Sequence, residues 1–568
     1  MPLSKRDKDF RLQKVNYLDF QFIEMDRVLT NFFGRVQFNG LTPRVQRKRS
    51  LEVAAFVDQI IQDREGFEGF ERFPTATHRW VETHLLDMVN RGRANATVAA
   101  PRPLHGYTYR FRNVLHSRDY GAAQHIYEAI YAARRDAGQA VIDQLKRFFF
   151  QGFDPLTGTA ATAAHMDVET QALLSFSVHV KDTADERFPR DCFPPTCIGG
   201  ADLLTEDVQR LLCYSPFVPR SVMVEYLKVL LSFHLAIYHL KLIKLVPRLV
   251  RGAKADPTCH PRRCPMNPRV DKDPQGDCPY KVAIVLDVAG NPNSPVSSLA
   301  IRSFDAHLRR ITPFVKSYFS LRKLDEFSED LRKLGKLHPS DGKTASLAEL
   351  LALLGEAYQS ERERYFEYRM ISLARDCTDD AGELEPELRR AQEMKLSAFD
   401  TYIEVLMKFR GEYHRAQLTS WLDSLLLKNR PGALVAQQRT KGAPRRFILD
   451  SRLLEVLLQV IVLRPGGVRG YHTANLRVDE VLDALRERYG LYIDRLPDGD
   501  GFAGSTIAER RALRSNREAF VGRLREVGYF RDLSDAYVAQ TVTPRYPIAK
   551  ETGADGDTDH AHAGGAAQ

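Results

Sequence analysis

Over long stretches of the chain, apolar residues recur three and four positions apart, the period of a helix with one buried face. The spacing predicts helices over Leu51–Ile61, Trp80–Val89 and Gln124–Phe150, with a new one from Met166 to Leu174. Leu203 to Val250 is helical again, punctuated by Pro216 and Pro219. From 298 to 430 the same period runs through Phe304–Phe327, Leu347–Leu373 and Leu388–Leu427, with loops near Pro339–Thr344 and Cys377–Gly382. One stretch alternates differently: Lys281–Asp287 (KVAIVLD) reads as a buried strand. No segment repeats at a fixed period.

A second region begins after the linker KNRPGALVAQQRTKGAPRR, where Lys428, Arg430, Arg439, Lys441, Arg445 and Arg446 face no acidic residue. Beyond it the pattern predicts a helix at Ser451–Leu463, a glycine turn at Arg464–Gly470 and an extended piece at Tyr471–Arg477. Helices at Val478–Tyr489 and Thr506–Val527 follow. Tyr537, Val538, Val542 and Tyr546 suit a closing hairpin over Tyr529–Tyr546. Helix, short strand, helix, helix, hairpin is the order of a winged helix-turn-helix. The expected fold is therefore mainly α and multidomain. It comprises a helical unit (1–165), a helical region with a Pro/Cys-rich loop and one buried strand (166–297), long helices (298–430) and a winged-helix-like domain (447–546). The tail from 547 to 568 contains the run ETGADGDTDHAHAGGAAQ, with no large apolar side chain, and is expected to be disordered.

Composition narrows the class only a little. Hydrophobic residues at 43% and charged residues at 27% belong to a folded globular protein, not to a fibre or a disordered chain. Lys+Arg at 82 against Asp+Glu at 73 gives +9 over 568 residues, too mild to announce nucleic acid. The most apolar stretch, Val222–Val246, carries Glu225, Lys228, His234, His239, Lys241 and Lys244, so it is expected to be a core helix with no membrane role. His234 and His239, five apart, point about 140° away from each other and suit core positions better than a ligand face. Seven cysteines and a basic N-terminus without an apolar signal core fit a reducing cytoplasm.

Candidate chemistry concentrates in two places. In a winged helix the third helix enters the major groove. Here that helix holds Arg510, Arg511, Arg514, Arg517, Arg523 and Arg525 against Glu509, Glu518 and Glu526. Arg510, Arg514 and Arg517 share one face and suit a phosphate row, while Ser515 and Asn516 suit base edges or sugar. Arg439, Lys441, Arg445 and Arg446 of the linker would extend the contact. Between Phe447 and Tyr546, however, 15 basic residues meet 14 acidic ones. Winged helices also dock proteins, so DNA contact and pure scaffolding both stand.

The second place is Cys259-His260-x3-Cys264-x13-Cys278, three thiols and an imidazole whose chemistry suits a structural zinc. Cys192-x4-Cys197 offers a further pair, and unligated cysteines in a proline-rich loop are the alternative. Enzyme signatures fail: Gly342-Lys343-Thr344 lacks the first glycine of a phosphate loop and a preceding strand. Asp287, ending the predicted strand, is the one candidate carboxylate for a metal-dependent nuclease, but no second acid follows it.

Several segments resemble a known family: LLTEDVQRLLCYSPFVPRSVMVEYLKVLLSFHLAIYHLKL, VLDVAGNPNSPVSSLAIRSF, FILDSRLLEVLLQVIVL, VDEVLDALRERYGLYIDRLP and LREVGYFRDLSDAYVAQTVTPRY. Together they look like the non-enzymatic large subunits of bacterial anti-phage defence operons. The likeness is to the methylation-associated defence system, with the G subunit of phosphorothioation-dependent restriction as a neighbour. The likeness lies mainly in 200–330 and 447–546. It implies a cytoplasmic, non-catalytic adaptor working beside a DNA methyltransferase and an ATPase, in a complex acting on unmodified DNA. A metal-dependent nuclease subunit and a winged-helix transcriptional regulator are the alternatives.

Overall fold

The computed structural model describes residues 3–46, 52–133, 137–154, 157, 166–176, 180–186, 192–252, 278, 280–340, 343–376, 393, 395–438, 442–467, 470–502, 506–530 and 541–550. In chain order the helices are α1 (Lys5–Lys8), α2 (Met25–Gln37), α3 (Val53–Gln62), α4 (Pro74–Trp80), α5 (Ala122–Tyr131), α6 (Ala137–Phe149), α7 (Val168–Ser175), α8 (Ile198–Leu212) and α9 (Arg220–Arg251). They continue with α10 (Pro295–Arg309), α11 (Ile311–Lys333), α12 (Leu347–Ala352), α13 (Gln359–Asp376), α14 (Ala398–Leu406), α15 (Glu412–Leu426), α16 (Ser451–Ile461), α17 (Val478–Tyr489) and α18 (Ile507–Glu526). The protein is mainly helical and multidomain, as the periodicity predicts.

α9 is the axis of the main core. It packs against α8, α11, α15 and α16, and 94% of its most apolar window is buried. A helix apolar on every side needs cover on every side. Most of its polar groups are satisfied inside: Lys228 on Asp26 at 2.9 Å, Tyr226 donating to Glu455 at 2.6 Å, and Lys244 on Asp500 at 2.9 Å. Length and composition alone would let α9 cross a membrane; its burial makes it the core helix that the sequence predicts.

A smaller, separate apolar core lies in the N-terminal region, around Phe56, Ile60, Val81, Leu85, Val98 and Phe111. Here the expectation of one helix over Trp80–Val89 is corrected. α4 ends at Trp80, a widened helical turn spans Val81–Leu85, and β2 (Leu86–Val89) pairs antiparallel with β3 (Thr97–Pro101). The pairing competes successfully with the helix because β3 lies only a short turn away and Asp87 is held by Arg27 at 2.6 Å. The other small pair of this half joins β1 (Pro43–Gln46) to β4 (Lys181–Ala184), also antiparallel. Two further helical expectations divide: Gln124–Phe150 becomes α5 and α6, and Phe304–Phe327 breaks at Arg310 into α10 and α11.

The predicted strand KVAIVLD is buried from Val282 to Val288, but only β5 (Ile284–Val285) is regular. The strands after it are β6 (Val435–Gln437), β7 (Arg445–Phe447), β8 (Leu463–Pro465), β9 (Tyr471–Thr473), β10 (Leu476–Arg477), β11 (Leu491–Tyr492) and β12 (Thr541–Val542). β6–β7 and β8–β9 are antiparallel pairs, and β10 runs antiparallel to β12. β11 joins β5 in parallel, Leu491 opposite Ile284. That junction needs Gly490. It caps α17 at φ +72°, and a Cβ there would sit 1.7 Å from the Val282 carbonyl oxygen.

The C-terminal region is thus fused to the middle of the chain. Asp207 of α8 reinforces the join, accepting from Tyr489 Oη at 2.8 Å and Arg488 Nη2 at 2.5 Å on α17, and bonding His234 Nε2 of α9 at 2.9 Å. Burial alone would raise the Asp207 carboxyl, yet the Arg488 guanidinium and His234 hold it well below the usual carboxylate range. Past β12 the chain stays docked through Ile548, which exchanges hydrogen bonds with Thr473; of the expected tail, 551–568 lie outside the described residues.

Candidate nucleic-acid interface

α18 begins with a capping box. The Thr506 hydroxyl accepts from the Glu509 N–H at 3.2 Å, and the Glu509 carboxylate accepts from the Thr506 N–H at 2.9 Å. Glu509 also accepts from Arg302 of α10 at 3.3 Å, which fixes the helix start against its neighbour. Ala512, Leu513, Asn516, Phe520, Val521 and Leu524 form the buried stripe. The opposite face presents Arg510, Arg511, Arg514 and Ser515 to solvent. Among the described residues none of these three arginines has an ion-pair partner, whereas Arg517 lies 2.8 Å from Asp479 of α17. The resulting surface is a row of exposed guanidinium groups, five donors each, on a helix that cannot easily shift.

Two of the predicted contact residues are corrected. Asn516 is 1% exposed and spends its amide inward: Nδ2 donates to the Leu286 and Ile493 carbonyls at 2.8 Å each, and Oδ1 accepts from Val288 N at 2.9 Å. It clamps α18 to β5 and to the end of β11, and no base edge can reach it. The sequence held the signal, since Asn516 falls three after Leu513 and four before Phe520 on the apolar stripe. Arg446 is likewise buried, with Nε donating to Asp287 at 3.1 Å and Nη2 to the Gly290 carbonyl at 3.0 Å. Arg445 is half-buried on β7 and ion-pairs with Asp423 at 2.7 Å. Arg439 and Lys441 lie outside the described residues.

Asp287, the candidate nuclease carboxylate, has no exposed surface. Its Oδ1 accepts from Gly290 N at 2.9 Å and its Oδ2 from Arg446. Burial raises its carboxyl above the usual range, against the pull of that N–H and guanidinium. The group closes a turn and holds β7 in place. Of the predicted zinc ligands, Cys259, His260 and Cys264 lie outside the described residues, and Cys278 is half-buried with its thiol pushed up by burial. Cys197 is buried against Tyr238, whose hydroxyl accepts from the Cys197 N–H at 3.2 Å, and Cys192 is exposed. Among the described residues no three His, Cys, Asp or Glu side chains gather in a way that would hold a metal ion.

A feature that the sequence reading missed stands at the N-terminus of α18. Ile507 is 68% exposed, one of the most exposed large apolar side chains among the described residues. It shares its helix face with Arg510, Arg511 and Arg514, at i+3, i+4 and i+7.

No curated protein matches this chain. The family described as Methylation-associated defense system protein MAD7 matches residues 5–546. That span takes in the N-terminal helices, the α9 core and the α18 face alike, so the chain belongs to this family of methylation-associated defence proteins.

Proposed function

We propose that this chain is a non-catalytic, DNA-associated adaptor of its defence system, working with a DNA methyltransferase, an ATPase and other subunits of the same operon. The observation that carries the reading is the solvent face of α18, where Arg510, Arg511 and Arg514 project with no ion-pair partner among the described residues, on a helix anchored from behind by Asn516. Lining up phosphates needs positive charge that is not tied up in ion pairs, and these three arginines suit that need. The order α16, β10, α17, α18 and then the pairing of β12 with β10 supports a winged helix-turn-helix. Val542 of β12, opposite Leu476 of β10, also makes an isolated antiparallel bridge to Phe530, which suits the wing of such a fold. In that architecture α18 is the groove-facing helix.

The test is duplex binding by the full-length protein across a salt series. The wild type should bind at low salt and weaken steeply as salt rises, while the Arg510→Glu, Arg514→Glu double variant should lose that binding and keep its fold. Equal affinity of the two proteins would assign the face to a protein partner instead. Copurification with an ATPase when the operon is expressed together would support the adaptor role; divalent-dependent cleavage by the isolated chain would overturn it.

A further inference from the structure

Resting on the reading of α18 as a groove-facing helix, we propose that Ile507 is a specificity-determining residue that contacts the C5-methyl group of a pyrimidine in the major groove. The N-terminal residues of a recognition helix are those that reach base edges. Ile507 is the first residue of α18, and 68% of it is exposed. It heads a single stripe with Arg510, Arg511 and Arg514, so guanidinium groups that hold phosphate or guanine would bring its branched side chain down onto the bases. The amide that would read an adenine edge is absent from this face, because Asn516 is turned inward on three backbone partners. Ser515, also exposed here, can meet any base edge, so discrimination falls to two kinds of side chain. Arginine reads the O6 and N7 of guanine, and an aliphatic side chain reads the methyl of thymine or 5-methylcytosine. Each methyl newly buried against Ile507 should tighten binding about fourfold, from the transfer free energy of one carbon.

The experiment compares short duplexes of randomised sequence made with thymine, with uracil in its place, or with 5-methylcytosine in place of cytosine. Affinities for the full-length protein are read by fluorescence anisotropy at one low salt concentration. The wild type should prefer thymine over uracil and 5-methylcytosine over cytosine. Ile507→Ala should bind all duplexes alike, at the affinity that the wild type shows for the uracil duplex. A wild type indifferent to the methyl groups overturns the role of Ile507. Should binding still be lost in the Arg510→Glu, Arg514→Glu variant, that result leaves the DNA reading standing. A methyl preference that persists in Ile507→Ala belongs to duplex shape and also overturns the proposal. Absence of salt-sensitive binding to every duplex overturns the functional reading itself, and this inference with it.

Discussion

Arg488 and Arg446 spend their guanidinium groups inside the protein, on Asp207 and on Asp287 with the Gly290 carbonyl, whereas Arg510, Arg511 and Arg514 spend theirs in water. The two sets lie in the same C-terminal part of the chain, and Arg510–Arg514 begin only a few turns of chain beyond Arg488. Arg488 joins α17 to α8 and Arg446 joins β7 to the turn after β5, so the charge of the inner set is cancelled by the fold. The outer set costs the fold nothing and cancels nothing. Positive charge becomes available to a partner only where the chain has left it without an acid, and sequence counts of Lys and Arg do not distinguish the two cases. Each of the following measurements presses on that contrast.

Acid should produce the largest effect, because it forces new charge into the buried region and leaves the outer arginines as they are. Burial holds His105 at about 3 and His239, His307 and His414 at about 4, and it keeps His125 well below its ordinary value. An unfolded histidine titrates near ~6.5. Between these values the unfolded chain binds protons that the folded protein refuses. The stabilisation is therefore complete above pH ~6.5 and is lost as pH falls toward ~4. Each of these histidines should add a slope of about 1.4 kcal/mol per pH unit in that window. Urea midpoints at pH about 7.5 and about 5 check this. Equal midpoints would mean that the histidines are reached by water and that the inner region is far less closed than its packing indicates.

Next in size is the loss of the Asp207 node. Asp207→Ala leaves Arg488 with only the longer Glu206 contact at 3.5 Å and frees Tyr489 Oη and His234 Nε2. Breaking a buried pair from one side costs about 3–5 kcal/mol. Arg488→Met should cost a similar amount, and the double variant less than the sum of the two, because both changes remove the same contact. Denaturant unfolding of the three variants gives the coupling. Additive losses would show that the two groups act independently and that the join between α8 and α17 rests on apolar packing.

Asn516→Ala sets the two regions against each other within one helix. It unpairs the Val288 N–H and the Leu286 and Ile493 carbonyls, at about 1–3 kcal/mol. DNA affinity per folded molecule should be unchanged. A loss of affinity with no loss of stability would return Asn516 to the interface.

Much of this architecture is legible in the pattern of apolar positions. Val478–Tyr489 and the two helices within Leu203–Val250, parted near Pro216 and Pro219, are where periodicity places them, because each presents apolar residues over several turns. Trp80–Val89 misleads for a physical reason: its last four residues find a partner strand at Thr97–Pro101, and pairing depends on a neighbour that a local window does not see. The parallel β5–β11 contact joins residues some two hundred apart and is two residues long, too brief to leave a pattern. At the candidate site the charge row on α18 is readable from i, i+3 and i+4 spacing, and so was the inward turn of Asn516. Arg446 is different. It closes a run of basic residues and precedes Phe447, and only the turn at Asp287–Gly290 reveals that it is buried.

The smallest effect expected on stability is the most discriminating one. Replacing Arg510 and Arg514 with Ala removes side chains that are exposed and have no ion-pair partner among the described residues, so unfolding should shift by no more than about 0.5 kcal/mol. Ala also has the better helix propensity, which works against any loss. The same two changes should flatten the dependence of DNA binding on salt, by about 0.9 in the logarithmic slope for each phosphate contact removed. Arg446→Ala should do the reverse, lowering stability while leaving the salt slope of the folded protein alone. If the α18 variants instead melt early and the Arg446 variant alters the slope, the division between inner and outer arginines is wrong in both directions. A stable double variant with an unaltered slope has a narrower meaning: the charge is free, but DNA is not what it meets.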